Sequence, residues 1–186
     1  MNLIFTITYF IWLISEVTLN RLLRSKNTDK QNADKNSLTT IWVTVVSAIF
    51  LAVFISIKLH LPIFSNSAFR YAGLAVIFTG IILRLAAIIT LGRFFTVDVT
   101  IRKDHQLKKD GLYKYLRHPS YFASLLSFVG FGISLNNWLS LTLVAVSVII
   151  VFINRIKIEE KILIEQFGTE YLQYKKTTNG LIPFIY

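Results

Sequence analysis

The chain of 186 residues contains no cysteine and few charged side chains. Without cysteine, the protein has no disulfide bond, no thiolate metal ligand and no cysteine nucleophile. Charged types make up 16% of the residues, whereas a soluble domain carries about 25%. Hydrophobic types reach 54%, more apolar surface than a soluble protein of this size can bury. The composition therefore favours an integral membrane protein over a disordered chain, a nucleic-acid module or a soluble dinucleotide-binding enzyme.

Acidic residues are scarce as well, with 10 against 20 lysines and arginines and a formal net charge of +10. In a soluble domain this excess would indicate nucleic acid binding. In a membrane protein it marks the cytoplasmic loops instead. We therefore expect membrane lipids, and no nucleic acid, as partners.

Several motifs of soluble enzymes are missing from the sequence. It contains no G-x-G-x-x-G, no P-loop, no H-E-x-x-H and no G-x-S-x-G. The three histidines, His60, His105 and His118, show no i, i+4 pairing. We expect no metal site, and any cofactor must lie between membrane helices and short loops.

Five apolar segments are predicted to span the membrane: 3–19, 41–61, 71–91, 121–135 and 138–153. No basic stretch precedes the first segment and no small-residue cleavage site follows it, so we expect a retained span and not a signal peptide. Only Asn136 and Asn137 separate the last two, which are short and suit a tight helical hairpin. The predicted fold is an all-α integral membrane protein with short cytoplasmic cofactor-binding segments. It forms a single membrane domain, 1–186, with three spans in 1–91 and a core in 92–186.

Lysine and arginine are concentrated after the first, third and fifth spans. The positive-inside rule then places the N-terminus outside and the C-terminus in the cytoplasm. Two ionisable residues, Glu16 and Arg84, fall inside spans, where charge often marks function. Both lie toward the cytoplasmic ends, so the favoured interpretation is that each reaches the lipid headgroups.

The segment 92–120 begins with alternating apolar and polar residues over 95–101, which predicts a short extended stretch. Pro119 suits the first position of the fourth helix. Arg117 and His118 then lie at the positive helix end, where they would bind either an anion or lipid headgroups. Spacing alone leaves both interpretations open.

The fifth span is expected to continue as a helix beyond the membrane, with Gly168 as its C-cap. Arg155 and Glu159 are four residues apart and share a face of it. From spacing alone, a stabilising ion pair at the membrane boundary is the favoured interpretation.

Two blocks of residues carry a family resemblance between about Phe94 and Pro183. The first block comprises His105-Gln106-Leu107, Gly111, Tyr113 and Arg117-His118-Pro119-Ser120-Tyr121; the second comprises Arg155, Glu159-Glu160, Phe167-Gly168, Glu170-Tyr171-Leu172, Tyr174-Lys175-Lys176 and Ile182-Pro183. Their order and spacing resemble the isoprenylcysteine carboxyl methyltransferases. The R-H-P-x-Y block also looks like the wider superfamily, including phospholipid N-methyltransferases and some membrane sterol reductases.

The resemblance implies a membrane methyltransferase that uses S-adenosylmethionine. Its implied cofactor-binding residues are His105, Gln106, Leu107, Lys108, Tyr113, His118, Pro119, Ser120, Tyr121 and Glu159. It assigns the catalytic positions to Arg155, which would hold the acceptor carboxylate, and to Glu159. Thr100 is the nearest counterpart of an upstream glutamine of the family, and Ala123 replaces a frequent glycine.

The expected reaction is methylation of the carboxylate of a prenylated cysteine or a similar lipophilic acid entering from the bilayer. A carboxylate is ionised at pH 7 and needs no general base. Three alternatives are methylation of a phospholipid or another lipophilic amine or thiol, a nicotinamide-dependent membrane reductase, and a scaffold without catalytic activity. The intact Arg155 and Glu159-Glu160 block argues against the last two.

Overall fold

A computed structural model describes residues 3–24, 36–101 and 104–183. The described ranges contain six α-helices and no β-strand. The helices are α1 (Leu3–Leu22), α2 (Ser37–Lys58), α3 (Arg70–Leu91), α4 (Pro119–Ser134), α5 (Trp138–Phe167) and α6 (Thr169–Thr177). Four of them, α1, α2, α3 and α5, are long and apolar enough to cross a membrane. The all-helical membrane fold predicted from the sequence is confirmed.

Helices α4 and α5 form the predicted hairpin, but their lengths differ greatly. With 16 residues, α4 rises about 24 Å, less than a ~30 Å hydrocarbon core. With 30 residues, α5 rises about 45 Å, so that it extends well beyond such a core. Gly168 ends α5 with φ +52°, which confirms the predicted C-cap.

The turn of the hairpin is held by the loop between α2 and α3. The side-chain amide of Asn136 exchanges two hydrogen bonds with the backbone of Phe64, at 2.9 and 3.0 Å. Asn137 caps α5 by accepting from the Ser140 backbone N–H at 3.0 Å, and donates to the Leu59 carbonyl at 2.6 Å. Backbone groups that no helix satisfies thus find partners at this end of the bundle.

Helices α3 and α4 pack closely because small residues face each other. A Cβ atom built on Gly80 would lie 2.6 Å from the Ala123 carbonyl oxygen, and one on Gly73 would lie 2.6 Å from the Gly130 oxygen. Only a residue without a side chain allows two backbones to approach in this way, as in many membrane helix pairs. Around this contact, α1 adds Trp12, whose ring meets the Phe128 ring edge-to-face at 4.9 Å between centroids.

The segment 95–101 was expected to be a short extended stretch, but the chain bends at residues 97–99. The Val97 N–H donates to the Leu23 carbonyl at 3.0 Å, which ties the bend to the end of α1. The side chain of Thr96 donates to the Asp98 carbonyl at 2.8 Å. These bonds hold the bent segment in place.

The C-terminal segment is tied to the start of α4 by a buried charge network. Arg117 Nε donates to Glu160 Oε1 at 2.7 Å, and Lys175 Nζ donates to the other carboxylate oxygen. The backbones also pair, with Arg117 N–H donating to the Asn179 carbonyl at 2.9 Å and Asn179 N–H to the Tyr115 carbonyl at 3.2 Å. Arg117 was expected to bind either an anion or lipid headgroups. Its guanidinium does neither here, because it binds Glu160 and the tail.

The close approach of α3 and α4 generates a first prediction. Gly80→Val should destabilise the fold by about 3 kcal/mol, because the added side chain meets the Ala123 and Ser127 backbone, which cannot move aside, as well as the Ser127 hydroxyl. The matched control is Ala75→Val on the exposed face of the same helix. Thermal unfolding in detergent micelles measures both variants. Equal losses of stability would contradict the packing argument.

The charge network generates a second prediction. Arg117→Ala should lower the free energy of unfolding by about 3 kcal/mol, because it removes one partner of a buried ion pair whose side chains are each 9% exposed. Lys109→Ala breaks an exposed pair with Glu170 and should cost less than about 1 kcal/mol. Denaturant or thermal unfolding distinguishes them, and a loss in Arg117→Ala no larger than in the control would refute the prediction.

Candidate active site

A partly open cavity lies where helices α1 to α6 and the segment 94–101 meet. Every residue from Phe94 to Ile101 lines it, so this segment forms one wall. The cavity has an apolar half, with Leu13, Ile41, Trp42, Val45 and Phe128, and a polar half near the helix ends. A largely apolar lining with a few convergent polar groups is typical of small-molecule sites.

Nine of the eleven predicted site residues line this one cavity. They are His105, Leu107, Lys108, Tyr113, His118, Ser120, Tyr121, Arg155 and Glu159. The other two do not line it. Gln106 is exposed, and Pro119 is buried at the first position of α4, where its ring begins the helix as the sequence predicts.

His118 occupies the position before α4 and faces two carboxylates of α5. Its Nδ1 lies 3.8 Å from Glu159 Oε2, and its Nε2 lies 3.5 Å from Glu160 Oε1. The imidazole is only 4% exposed. No side chain caps α4 at this position, and the positive end of its helix dipole is a favourable place for an anion.

Arg155 is buried, with 1% of its surface exposed. Its Nε donates to the Tyr121 hydroxyl at 3.3 Å, and one terminal nitrogen donates to the Val97 carbonyl at 2.6 Å. The other terminal nitrogen donates to the Ser37 hydroxyl. The favoured interpretation of a pair at the boundary surface is wrong about the surface: the guanidinium is buried, is held by these three oxygens and also interacts electrostatically with Glu159.

Glu159 lies one helical turn after Arg155, and its side chain is 31% exposed. The Glu159 side chain therefore lines the cavity and is also reached from its open side. The Tyr121 hydroxyl lies within interaction range of both Glu159 and Arg84, so that α4 connects the two charged regions of the cavity.

Two tyrosines support the polar half from the tail and the loop before α4. The Tyr174 hydroxyl donates to the Tyr113 carbonyl. Burial, with Glu159 nearby, raises the pKa of Tyr113 above its ordinary value. The Tyr113 hydroxyl is therefore neutral at every physiological pH and acts as a hydrogen-bonding group. The tail thus positions the loop that carries the first block of motif residues.

Glu16 and Arg84 form an ion pair inside the bundle, with 3.0 Å between Arg84 Nη2 and Glu16 Oε2. Both line the cavity. The expectation that each would reach the headgroups separately is wrong, because the packing of α1 against α3 brings the two charges together. Their intramembrane position was the sequence signal that could have included them in the site.

Two buried polar atoms of the lining have no hydrogen-bond partner within the described part of the chain. They are Arg84 Nε and the hydroxyl oxygen of Tyr171. Buried polar groups are nearly always satisfied in folded proteins. Both atoms have less than 1 Å² accessible, so they lie behind the cavity surface and not on it.

Comparisons with known proteins show the family to which the chain is similar. Residues 72–165 match the isoprenylcysteine carboxyl methyltransferase (ICMT) family, which is about half of the chain. Protein-S-isoprenylcysteine O-methyltransferase B of Arabidopsis thaliana is 41% identical over 115 residues, 61% of this chain and 58% of that protein. The Saccharomyces cerevisiae protein-S-isoprenylcysteine O-methyltransferase is 38% identical over 115 residues, again 61% of this chain but 48% of the relative.

A solved structure is similar over a larger part of the chain. It is that of the eukaryotic intramembrane Ras methyltransferase ICMT, with a TM-score of 0.62 and 30% identity over 81% of this chain and 53% of the other. The chain thus spans about half the length of the relatives that it matches. The family resemblance predicted from the two motif blocks is confirmed: this chain is a multi-pass membrane protein that belongs to the isoprenylcysteine carboxyl methyltransferase family.

Proposed function

We propose that this chain is a membrane methyltransferase that uses S-adenosylmethionine to methylate the carboxylate of a prenylated cysteine or a similar lipophilic acid. One observation carries the proposal: a single cavity joins a polar half, with Glu159 and His118, to an apolar half between α1, α2 and α4, and Arg155 also lines it. A lipophilic acid needs an apolar space for its tail beside a cation for its head. The chemistry named by the relatives requires the same combination.

The residues of the polar half fit the cofactor. Glu159 can bind its positively charged amino group, while the start of α4 and His118 suit its carboxylate. His105, Leu107, Lys108 and Tyr113 provide aromatic, apolar and polar surface for the nucleoside. When bound, S-adenosylmethionine supplies a methyl group that its sulfonium has already activated.

Arg155 is suited to hold the acceptor carboxylate. Its guanidinium is kept in place by the Tyr121 and Ser37 hydroxyls and the Val97 carbonyl. A carboxylate makes stronger, charge-assisted and bidentate bonds with such a fork than neutral oxygens do. Because the acceptor is already ionised at neutral pH, positioning and exclusion of water are the main tasks of the protein.

Water is excluded by the segment 94–101 on one side and the membrane helices on the other. Phe94 and Phe95 of this segment and Trp42 of α2 line the cavity. We propose that the acceptor enters sideways from the bilayer and the cofactor from the cytoplasm. This arrangement requires the orientation expected from the loop charges, with the N-terminus outside and the C-terminus inside.

Cofactor binding provides a third prediction. Glu159→Gln should raise the Kd for S-adenosylmethionine about tenfold, since it removes one charge-assisted contact. Glu165→Gln is the matched control, because Glu165 is exposed on the same helix and does not line this cavity. Calorimetry on detergent-purified protein measures both. Absence of binding to the folded wild-type protein would refute the proposed function.

Turnover provides a fourth prediction. Arg155→Lys should lower kcat/KM for a prenylated cysteine acceptor about 100-fold while cofactor affinity stays within about twofold, because lysine keeps the charge and loses the bidentate fork. Transfer of labelled methyl to a panel of farnesylcysteine analogues, fatty acids and phosphatidylethanolamine gives the activity and the acceptor class. Lys161→Ala, at an exposed position of α5, serves as control. If Arg155→Lys transferred methyl groups as fast as the wild type, Arg155 would not bind the acceptor carboxylate.

A further inference from the structure

Ser37 is the first residue of α2, and its hydroxyl accepts a hydrogen bond from a terminal nitrogen of Arg155. It lies outside residues 72–165, the range that matches the family, and belongs to neither motif block. Arg155 lines the cavity, whereas Ser37 lies behind its wall. Any contribution of Ser37 to the site therefore acts through the Arg155 guanidinium.

The guanidinium of Arg155 is fixed by oxygens from three separate parts of the chain. Its Nε donates to the Tyr121 hydroxyl of α4, its Nη2 to the Val97 carbonyl at 2.6 Å, and its Nη1 to the Ser37 hydroxyl. Recognition of a carboxylate through two parallel hydrogen bonds depends on how this planar group is turned, and not only on its charge. Loss of the Ser37 hydroxyl would leave the charge in place but remove one of the bonds that fix its orientation.

The helix that carries Ser37 also forms part of the apolar half of the cavity. Its lining residues are Leu38, Ile41, Trp42 and Val45. Positions 37, 41 and 45 are four residues apart, so they share one face of α2. A single helix face thus contacts the Arg155 guanidinium with its first residue and the apolar space with the next two turns.

Hydrogen bonds to α5 hold α2 at two points. The hydroxyl of Ser140, a residue that is 0% exposed, donates to the Ala52 carbonyl at 2.7 Å. At the start of α2, Arg155 donates to Ser37. The two contacts are fifteen residues apart on each of these antiparallel helices, a rise of about 22 Å. Because the spacing is equal, α2 cannot slide along α5 without breaking both contacts, and the register of the two helices places Ser37 against Arg155.

We propose that Ser37 is a positioning residue, which orients the Arg155 guanidinium for the acceptor carboxylate. The inference rests on the proposed function and deepens it, because it gives a role in turnover to a helix that lies outside the family match. Transfer requires a carboxylate oxygen to face the methyl group in line, so the orientation of Arg155 affects the rate as well as its charge. Through Ser37, α2 couples the apolar wall to the cation that holds the acceptor head.

Removing and then restoring the hydroxyl tests the inference. Ser37→Ala should lower kcat/KM for N-acetyl-S-farnesylcysteine about tenfold, with kcat falling more than KM rises, because Arg155 keeps its charge and loses an orienting bond. Ser37→Thr keeps the hydroxyl and should stay within about threefold of the wild type. The Kd for S-adenosylmethionine should remain within about twofold in both variants, since the cofactor is assigned to other residues.

The matched control is Thr40→Ala, which removes a hydroxyl from the same end of α2. Thr40 is exposed, donates to the Asn36 carbonyl at 3.0 Å and does not line the cavity. Its kcat/KM should equal that of the wild type. The inference is overturned if Ser37→Ala impairs transfer no more than this control, or if Ser37→Thr is as impaired as Ser37→Ala.

Ser37→Asp gives a result that a merely structural role would not produce. The introduced carboxylate would bind the Arg155 guanidinium itself and compete with the carboxylate of the acceptor. Acceptor turnover should fall about 100-fold while cofactor affinity and the midpoint of thermal unfolding are not lowered, because the buried cation gains a charged partner. If Ser37→Ala does not fold, this variant decides: full turnover, or an unfolding midpoint below that of the wild type, overturns the inference.

The wild-type protein separates this inference from the proposed function. If it methylates the acceptor and Ser37→Ala does so equally well, only the role of Ser37 is refuted. If it binds the cofactor but methylates none of the farnesylcysteine analogues and fatty acids of the panel, the proposed function is refuted and this inference with it.

Discussion

Three arginines lie around the cavity of this small helical bundle, and the cost of removing a guanidinium from water governs what surrounds each. Arg84 is matched by Glu16, and Arg117 by Glu160. Arg155 is enclosed by oxygens from three different segments. Since an unpaired buried cation would be expelled or would unfold its surroundings, these contacts define where α1, α5, the tail and the 94–101 segment can lie.

The same requirement separates structural charge from functional charge. Arg117 binds Glu160 and the carbonyls of Lys175 and Thr178, so its donors are used to fasten the tail. Arg84 is paired with Glu16, and Arg155 is held by the Tyr121 and Ser37 hydroxyls and the Val97 carbonyl at the cavity wall. Arg117 thus fastens the tail, while the other two guanidinium groups connect helices around the cavity.

Close packing of α3 against α4 makes this arrangement possible. Gly73, Gly80 and Gly130 let the two backbones approach, and α4 then presents Tyr121 and Ser124 to the cavity on one face. A wider separation of the helices would move Arg84 on α3 away from α4. The position of the Glu16–Arg84 ion pair therefore depends on glycines that have no functional side chain.

Much of the fold follows from local patterns in the sequence. Apolar runs of sufficient length predict the membrane helices, the Asn136-Asn137 pair predicts the hairpin turn, and Gly168 predicts the end of α5. The two motif blocks predict part of the cavity lining, because the spacing of residues around Pro119 and along α5 is a property of single helices. The alternation in 95–101 did not predict the bend at residues 97–99, because long-range contacts fix the path of that segment.

Pairing between distant residues could not be predicted in this way. Glu16 and Arg84 are both visible as intramembrane charges, and Arg155 and Glu159 as neighbours on one face. Which partner each meets depends on how α1, α2 and α3 pack, and many weak contacts decide that packing together. The sequence by itself determined the helices, their likeness to a family and the residue types available for chemistry. Only the tertiary structure decided which charges neutralise one another, because burial and distance between segments set the energy of a charge.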